Sequence, residues 1–534
     1  MKPQCNILVI HYKNSKKIHT FAFRKFTTMK HPFICFLLIF LLAVSCQQND
    51  KLAVPPAPYG PVPTEAQLKW QQMEMNMFCH FGPNTFTGNE WGEGTEAEDI
   101  FNPTALDCGQ WVATAKAAGF KGIILTAKHH DGFCLWPNPE SEHTVAHSSW
   151  RNGKGDVLKE LSDACRQEEL GFGIYISPWD RNAPTYGTPE YNGVFKRTLE
   201  SALSQYGEVF EQWFDGACGE GPNGKRQEYD WPLFNNTVHQ LQTQALIFSD
   251  VGPGCRWVGN EEGRAGRTCW SLLNTDGFTP GAGAPPQDTL TVGNRNGKHW
   301  IPAEVDVSIR PGWFYRDSEH PKSVKELMHI YYQSVGRNGL LLLNVPPDQR
   351  GLIAREDSMR LMQFAAALKS VFSEDLARKA YIMAASNIRG VKYPSHYWME
   401  RGFVHGVRNI NEYEYGVFNL LDGHYDTYWT VDDSVTSASV VMSFPEQVTF
   451  NRVMLQEYIP LGQRVSKFHI KILTPDGEWK TIATETTIGY KRILLVPMCT
   501  AKAVRICIDE SLACPVLNRV ALFKDEVFSV SLPL

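Results

Sequence analysis

The sequence predicts an α/β architecture, a (β/α)8 barrel followed by a C-terminal β-sandwich, and three observations carry that expectation. Short apolar strands alternate with amphipathic helices from residue 64 to residue 372, the signature of a parallel sheet. Polar clusters recur where those strands end: His80, His129-His130-Asp131, Trp179-Asp180, Asp215 and Glu261-Glu262. In a closed barrel of this kind the catalytic groups sit at the C-terminal ends of the strands. From residue 373 to 534 the helical period gives way to short alternating strands, as in a sandwich.

Met75-Asn-Met-Phe-Cys-His80 reads as the first strand. Asp107, with Gln110 three residues on, opens a helix closed by Gly119. Phe120–Thr126 is the second strand, and Asp156 caps the next helix. Phe172–Ser177 and Val209–Asp215 follow, then Ala245–Ser249, Arg256–Gly259, Asp306–Arg310 and Leu340–Val345. Helices at Ser323–Val335 and Arg355–Phe372 accompany the last two strands. About eight strands over this length favour a closed barrel over an open sheet. No glycine-rich dinucleotide fingerprint follows the first strand. In the C-terminal region, strands are expected at Ser439–Phe444, Arg452–Glu457, Lys467–Leu473, Trp479–Ala483, Arg492–Val496 and Ala503–Ile508, with a turn at Pro475-Asp-Gly477.

The net charge of -5 gives no electrostatic case for nucleic acid. Phe33–Val44 is an apolar run of signal-peptide length, too short to span a bilayer. It leads into Leu42-Ala-Val-Ser-Cys46, a lipoprotein-type cleavage box with Cys46 as the lipidated residue. Residues 1–46 thus read as a leader with its true start at Met29, and residues 47–63 as a proline-rich linker. The expected location is a bacterial cell envelope, lipid-anchored. The thirteen cysteines include no C-x-x-C pair, so neither zinc nor a disulfide framework is indicated.

Side chains alternate along a strand, so Trp213 and Asp215 face one way. Asp215 and Glu261 lie on different strands, the arrangement in which two carboxylates can flank a glycosidic bond. Glu262 is the neighbouring alternative for the second role. Adjacent residues point to opposite sides of an extended chain, so His129 and His130 converge poorly on a metal ion and suit sugar hydroxyls better. Glu211 would point deeper into the barrel, where a buried charge needs a partner. None is evident in the sequence.

Met77-Phe-Cys-His-Phe-Gly-Pro83, Asn89-Glu-Trp91, Lys128-His-His-Asp-Gly-Phe133, Trp213-Phe-Asp-Gly216 and Gly259-Asn-Glu261 resemble the family 29 glycoside hydrolases, the retaining α-L-fucosidases. The resemblance implies Asp215 as nucleophile and Glu261 as acid/base. It implies His80, Glu90, Trp91, His129, His130 and Tyr175 at fucose hydroxyls and Trp313 against the sugar's methyl group, with no cofactor or metal. The Gly-Asn-Glu form is similar to the subfamily acting on α-1,3/1,4-linked fucose of branched glycans, so fucosylated oligosaccharides or glycoconjugates are the expected partners. Leu421-Asp-Gly-His-Tyr-Asp-Thr-Tyr-Trp429 resembles a discoidin-like sandwich, which either binds sugar or braces the barrel. The alternatives are a non-catalytic surface glycan-binding lipoprotein and a glycosidase of other sugar specificity.

Overall fold

The computed structural model describes residues 7–14, 17–24, 53–390 and 414–527. Ile7–Asn14 and Lys17–Arg24 pair as an antiparallel hairpin within a unit distinct from Val54 onward. Met29, the apolar leader and Cys46 lie outside the described residues. No helix among the described residues is long and apolar enough to cross a membrane. The proline-rich stretch before residue 64 lies along the sandwich: Tyr59 N–H donates to Leu461 O (3.0 Å) and Arg464 Nη2 to Ala57 O (2.7 Å).

Eight parallel strands close a barrel: β1 (Met75–Cys79), β2 (Gly122–Lys128), β3 (Gly171–Ile176), β4 (Glu211–Trp213), β5 (Leu246–Ser249), β6 (Cys255–Trp257), β7 (Ala303–Ser308) and β8 (Leu340–Asn344). Pairing of β8 with β1 and of β6 with β7 completes the ring. Alternate residues of these strands build two cores. Phe78, Ile124, Tyr175, Trp213, Phe248 and Leu342 fill the interior, while Met77, Ile123, Ile174, Phe214 and Leu341 pack outward under the helices. Burial on both faces is why the strands read as continuous apolar runs.

Helix α1 (Glu65–Met73) turns Trp70 into the barrel interior, and the outer layer contains α2 (Cys108–Ala118), α3 (Val157–Gln167), α4 (Glu190–Leu203), α5 (Trp231–Leu241), α6 (Val324–Gln333) and α7 (Arg355–Phe372). Asp107 caps α2 through Gln110 N–H, but the Gln110 side chain turns away to the Ile353 backbone, so the reciprocal half of a capping box is missing. Helix α5 is not evident from the sequence because Pro232, Asn235 and Asn236 are poor helix formers. An Asp230 cap and proline in the first turn offset that weakness. Between β5 and β6 the chain only hooks back, with Gly254 N–H on Ile247 O (2.9 Å). The long β6–β7 connection carries Glu261.

The sandwich consists of β9 (Ile382–Ala385), β10 (Trp429–Thr430), β11 (Ala438–Glu457), β12 (Val465–Leu473), β13 (Trp479–Glu485), β14 (Arg492–Ser511) and β15 (Val516–Phe523), all antiparallel. Four of the six expected strands merge into two, because β11 runs on through the exposed Pro445-Glu446-Gln447 and β14 runs unbroken opposite it. Register shifts between Ser443 and Val448 and between Phe450 and Arg452 let the paired strands bend there. The Pro475–Gly477 turn joins β12 to β13, with Gly477 in the left-handed region (φ +91°).

The sandwich is packed firmly on the barrel. Met454, Ile493, Ala521 and Phe523 join the same apolar cluster as the barrel helices, and Phe523 meets Phe372 edge-on at 5.0 Å. Arg452 and Asp525 pair at 2.6 Å with no exposure, beside Tyr332. Asn338 ties the two together: its Nδ2 donates to Cys269 O (3.0 Å) and Ser271 Oγ (3.1 Å), and its Oδ1 accepts from Tyr490 N–H (2.7 Å). Its φ of +65° is one that asparagine tolerates better than most residues. Asn338→Ala strands these buried groups and is expected to cost about 2–4 kcal/mol, with barrel and sandwich melting in one transition. Two resolved calorimetric transitions, or an unchanged melting temperature, would contradict this bracing.

Candidate active site

Every polar residue singled out at a strand end lies at the C-terminal mouth of the barrel or on a loop over it. Asp215 follows the short strand β4. Its Oδ2 accepts from the Tyr175 hydroxyl (3.0 Å) and its Oδ1 from Ala217 N–H (2.7 Å). A Cβ on Gly216 would lie 2.1 Å from Asp250 Oδ2, so a larger residue there would have to displace the Asp250 carboxyl. Burial and the nearby charge of Asp215 push the Asp250 carboxyl up to about 6.

The histidines are neutral hydrogen-bonding groups. His80 Nδ1 donates to Asn344 Oδ1 (2.9 Å), whose amide is fixed by Ser308 Oγ and Trp313 O, leaving Nε2 of His80 as an acceptor. His130 Nδ1 faces Ser177 Oγ (2.8 Å) while its Nε2 lies 3.8 Å from Asp215 Oδ2. His129 stacks on Tyr175 with 17° between planes, and its Nδ1 has no partner among the described residues. Burial lowers all three, His80 to about 3 and His130 to about 4.

Glu90 and Trp91 come from the loop after β1. Glu90 is already engaged: one oxygen accepts from Trp313 N–H and the other from Arg316 Nη2 (2.6 Å). Trp91, 53% exposed, stands at the rim with its ring nearly perpendicular to those of His130 and Trp179. Trp313 lies 4.9 Å from the His80 ring, and its indole N–H donates to Glu261 Oε2 (3.3 Å).

The Asn260–Arg264 loop separates the two glutamates. Asn260 Oδ1 accepts from Glu262 N–H and its Nδ2 donates to Arg264 O, so the loop is self-tied. Gly259 enters it at φ +89°, where a Cβ would lie 2.9 Å from Gln287 O. Glu262 turns to solvent and pairs with Arg264 (2.5 Å), whereas Glu261 reaches Trp313 over the mouth. Protein packed around the Glu261 carboxyl raises its pKa, the Trp313 indole opposes that, and the charges of Asp215 and Glu90 raise it further.

Three residues at the site escaped the sequence reading. Asp306 Oδ1 accepts from Trp257 Nε1 (3.1 Å), and burial followed by the charge of Glu261 holds its carboxyl well above the usual range. Glu304, two residues earlier on the same inward face, accepts from Trp213 Nε1 (3.0 Å) and supplies the partner Glu211 needs. Asp250 is the third. The available signal was two carboxylates at i, i+2 among Ala303, Val305 and Val307, a strand whose inward face is acidic.

Two sequence-family models match the chain: that of the α-L-fucosidases over residues 60–371 and the F5/8 type C domain over residues 407–515. The chain belongs to the α-L-fucosidases of glycoside hydrolase family 29. It is 41% identical to α-L-fucosidase 1 of Arabidopsis thaliana, over 92% of this chain and 94% of the plant protein. A family 29 member from a rumen bacterium shares 39% identity over 89% of this chain and 79% of its own, with a TM-score of 0.74. A family 29 fucosidase of Ruminococcus gnavus, solved in complex with fucose, shares 31% identity over 90% of this chain and 98% of its own, with a TM-score of 0.79. The F5/8 type C match makes the C-terminal domain of this fucosidase discoidin-like.

A depressed histidine pKa leaves a mark on the stability of the fucosidase. The unfolded chain protonates this ring near 6.5 and the folded chain near 4, so stability falls as pH drops through that interval. The loss from His130 is about 3 kcal/mol. His130→Gln is expected to remove that share of the decline in urea midpoint between pH 6.5 and 4, relative to wild type. An identical decline in both proteins would show that His130 titrates normally.

Proposed function

We propose that this family 29 α-L-fucosidase is exo-acting and retaining, and that it removes terminal α-1,3/1,4-linked fucose from branched glycans. The observation that carries the reading is two carboxylates at one barrel mouth, held by different partners. Asp215 accepts two hydrogen bonds beside a neutral imidazole. Glu261, exposed on its loop, accepts from the Trp313 indole, and its pKa is raised by the protein packed on one side and by the charges of Asp215 and Glu90. Such a division is how one carboxyl serves as nucleophile while the other stays a proton donor.

In the first step Asp215 attacks the anomeric carbon while Glu261 gives its proton to the departing glycosidic oxygen. Asp215 thereby becomes esterified to fucose. Glu261, now a carboxylate, takes a proton from water, and the resulting attack frees Asp215 and releases fucose with the same configuration. His80, Glu90, Trp91, His129, His130 and Tyr175 bind the hydroxyl face, and Trp313 packs against the C5 methyl. Support for these roles comes from the acceptor left on His80 Nε2, the unpartnered His129 Nδ1 and the Tyr175 bond to Asp215. The Gly259-Asn-Glu261 loop and the exposed Trp91 at the rim favour a substrate with sugar beyond the fucose. The leader ending at Cys46 supports a lipid-anchored protein of a bacterial envelope.

Release of L-fucose from a Lewis a or Lewis x trisaccharide is expected to exceed release from an aryl fucoside. Asp215→Ala should abolish both. Glu261→Ala should lower turnover of the trisaccharide by about 10²–10⁴-fold, with azide restoring activity, and Glu262→Ala should not. Substantial turnover by Asp215→Ala, or azide rescue confined to Glu262→Ala, would overturn these assignments.

A further inference from the structure

A second pair of carboxyls lies deeper in the barrel than Asp215, and the proposed reaction does not use it. Glu211 on β4 and Glu304 on β7 have no exposed surface, and a carboxyl oxygen of each lies within 4.8 Å of the other. Glu211 Oε2 accepts from Trp70 Nε1 (2.7 Å) and its Oε1 from Cys255 Sγ (3.5 Å). Glu304 Oε2 accepts from Trp213 Nε1 (3.0 Å), while Glu304 Oε1 lacks a donor. No cationic side chain among the described residues makes a hydrogen bond or ion pair with either carboxyl. Two bare carboxylates this close and this buried would carry two uncompensated charges. A proton on Glu304 Oε1, donated to Glu211, satisfies the remaining oxygen and halves that charge.

We propose that Glu211 and Glu304 share one proton and are positioning residues that hold the active-site floor through Trp213. The indole of Trp213 is pinned at its N–H by Glu304 and stacked between Phe248 (3.9 Å, 8°) and Tyr175 (5.1 Å, 25°). Tyr175 in turn donates to Asp215. A tilt of Trp213 therefore moves the hydroxyl that orients the attacking carboxylate. Burial raises both carboxyls, Glu211 to about 7, in keeping with a retained proton. The same atoms, with Cys255 Sγ, lie within 4.8 Å of one another, so a buried metal ion is the competing occupant that the test must exclude.

The catalytic arm of the test rests on the fucosidase reading; the spectroscopic and elemental arms do not. In Glu304→Gln the amide N–H replaces the shared proton and the amide oxygen still accepts from Trp213. Its kcat is expected to stay within about threefold of wild type. Glu304→Leu removes both bonds and should lower kcat about 10–100-fold with KM changed less than about threefold, the signature of misaligned attack. Infrared spectra of folded wild type at pH 7 should contain the carbonyl band of a buried protonated acid that Glu304→Gln lacks, a readout that remains if the leucine variant does not fold. Elemental analysis of the purified protein should find no stoichiometric metal. A glutamine variant as impaired as the leucine variant, a leucine variant with wild-type kcat, identical infrared spectra, or one metal per chain lost in Glu304→Gln would each overturn the proposal.

Discussion

A closed eight-stranded barrel has one interior column, and polar side chains buried there need partners within it. In this chain the column is unusually polar. From β4 and β7 come Glu211, Trp213, Glu304 and Asp306, and α1 sends Trp70 in among them. Each carboxyl there is met by an indole N–H: Trp70 on Glu211, Trp213 on Glu304 and Trp257 on Asp306. Indoles suit the task because each buries a large apolar face while donating one hydrogen bond. The mouth of the barrel inherits its geometry from this packing, since Trp213 supports Tyr175 and Tyr175 supports Asp215.

The mouth itself is made rigid by loops that hold one another. Arg316 joins Glu90 to Glu319, and Arg310, paired with the buried Asp357 at 2.9 Å, anchors the segment that presents Trp313. Trp313 then bridges three parts of the site: its backbone N–H meets Glu90, its ring lies near His80 and its indole N–H meets Glu261. A rim built this way holds its donors and acceptors oriented before any ligand arrives. The sandwich adds to this from outside by covering the helical layer with Met454, Ile493 and Phe523.

Much of this was legible in the sequence, for a definable reason. Buried parallel strands leave apolar runs, and strand ends leave polar clusters, so the barrel, the Asp215 strand and the pair of histidines stand out. The strand at Asp306–Arg310 was set three residues late because Glu304 interrupts the apolar pattern. That displacement hid both Glu304 and the partner of Glu211, which only the closed ring brings together. Helix α5 was hidden by weak helix formers, and the long sandwich strands by an exposed Pro-Glu-Gln step. Sequence alone left Glu261 and Glu262 as alternatives; the self-tied Asn260–Arg264 loop sends them to opposite sides. Asp250 sits against Gly216, and pairwise contact of that kind has no local pattern.

Asp215 is the proposed nucleophile that becomes covalently bound to fucose, and trapping that bond tests the proposal most directly. A 2-deoxy-2-fluoro fucosyl fluoride slows the release step, so incubation followed by mass spectrometry of the intact protein and its peptides would locate the adduct. One fluorofucosyl group on the peptide containing Asp215, absent when Asp215 is replaced by alanine, is the predicted result. An adduct on Glu261, Asp250 or Asp306, or turnover with inverted configuration and no adduct, would contradict it.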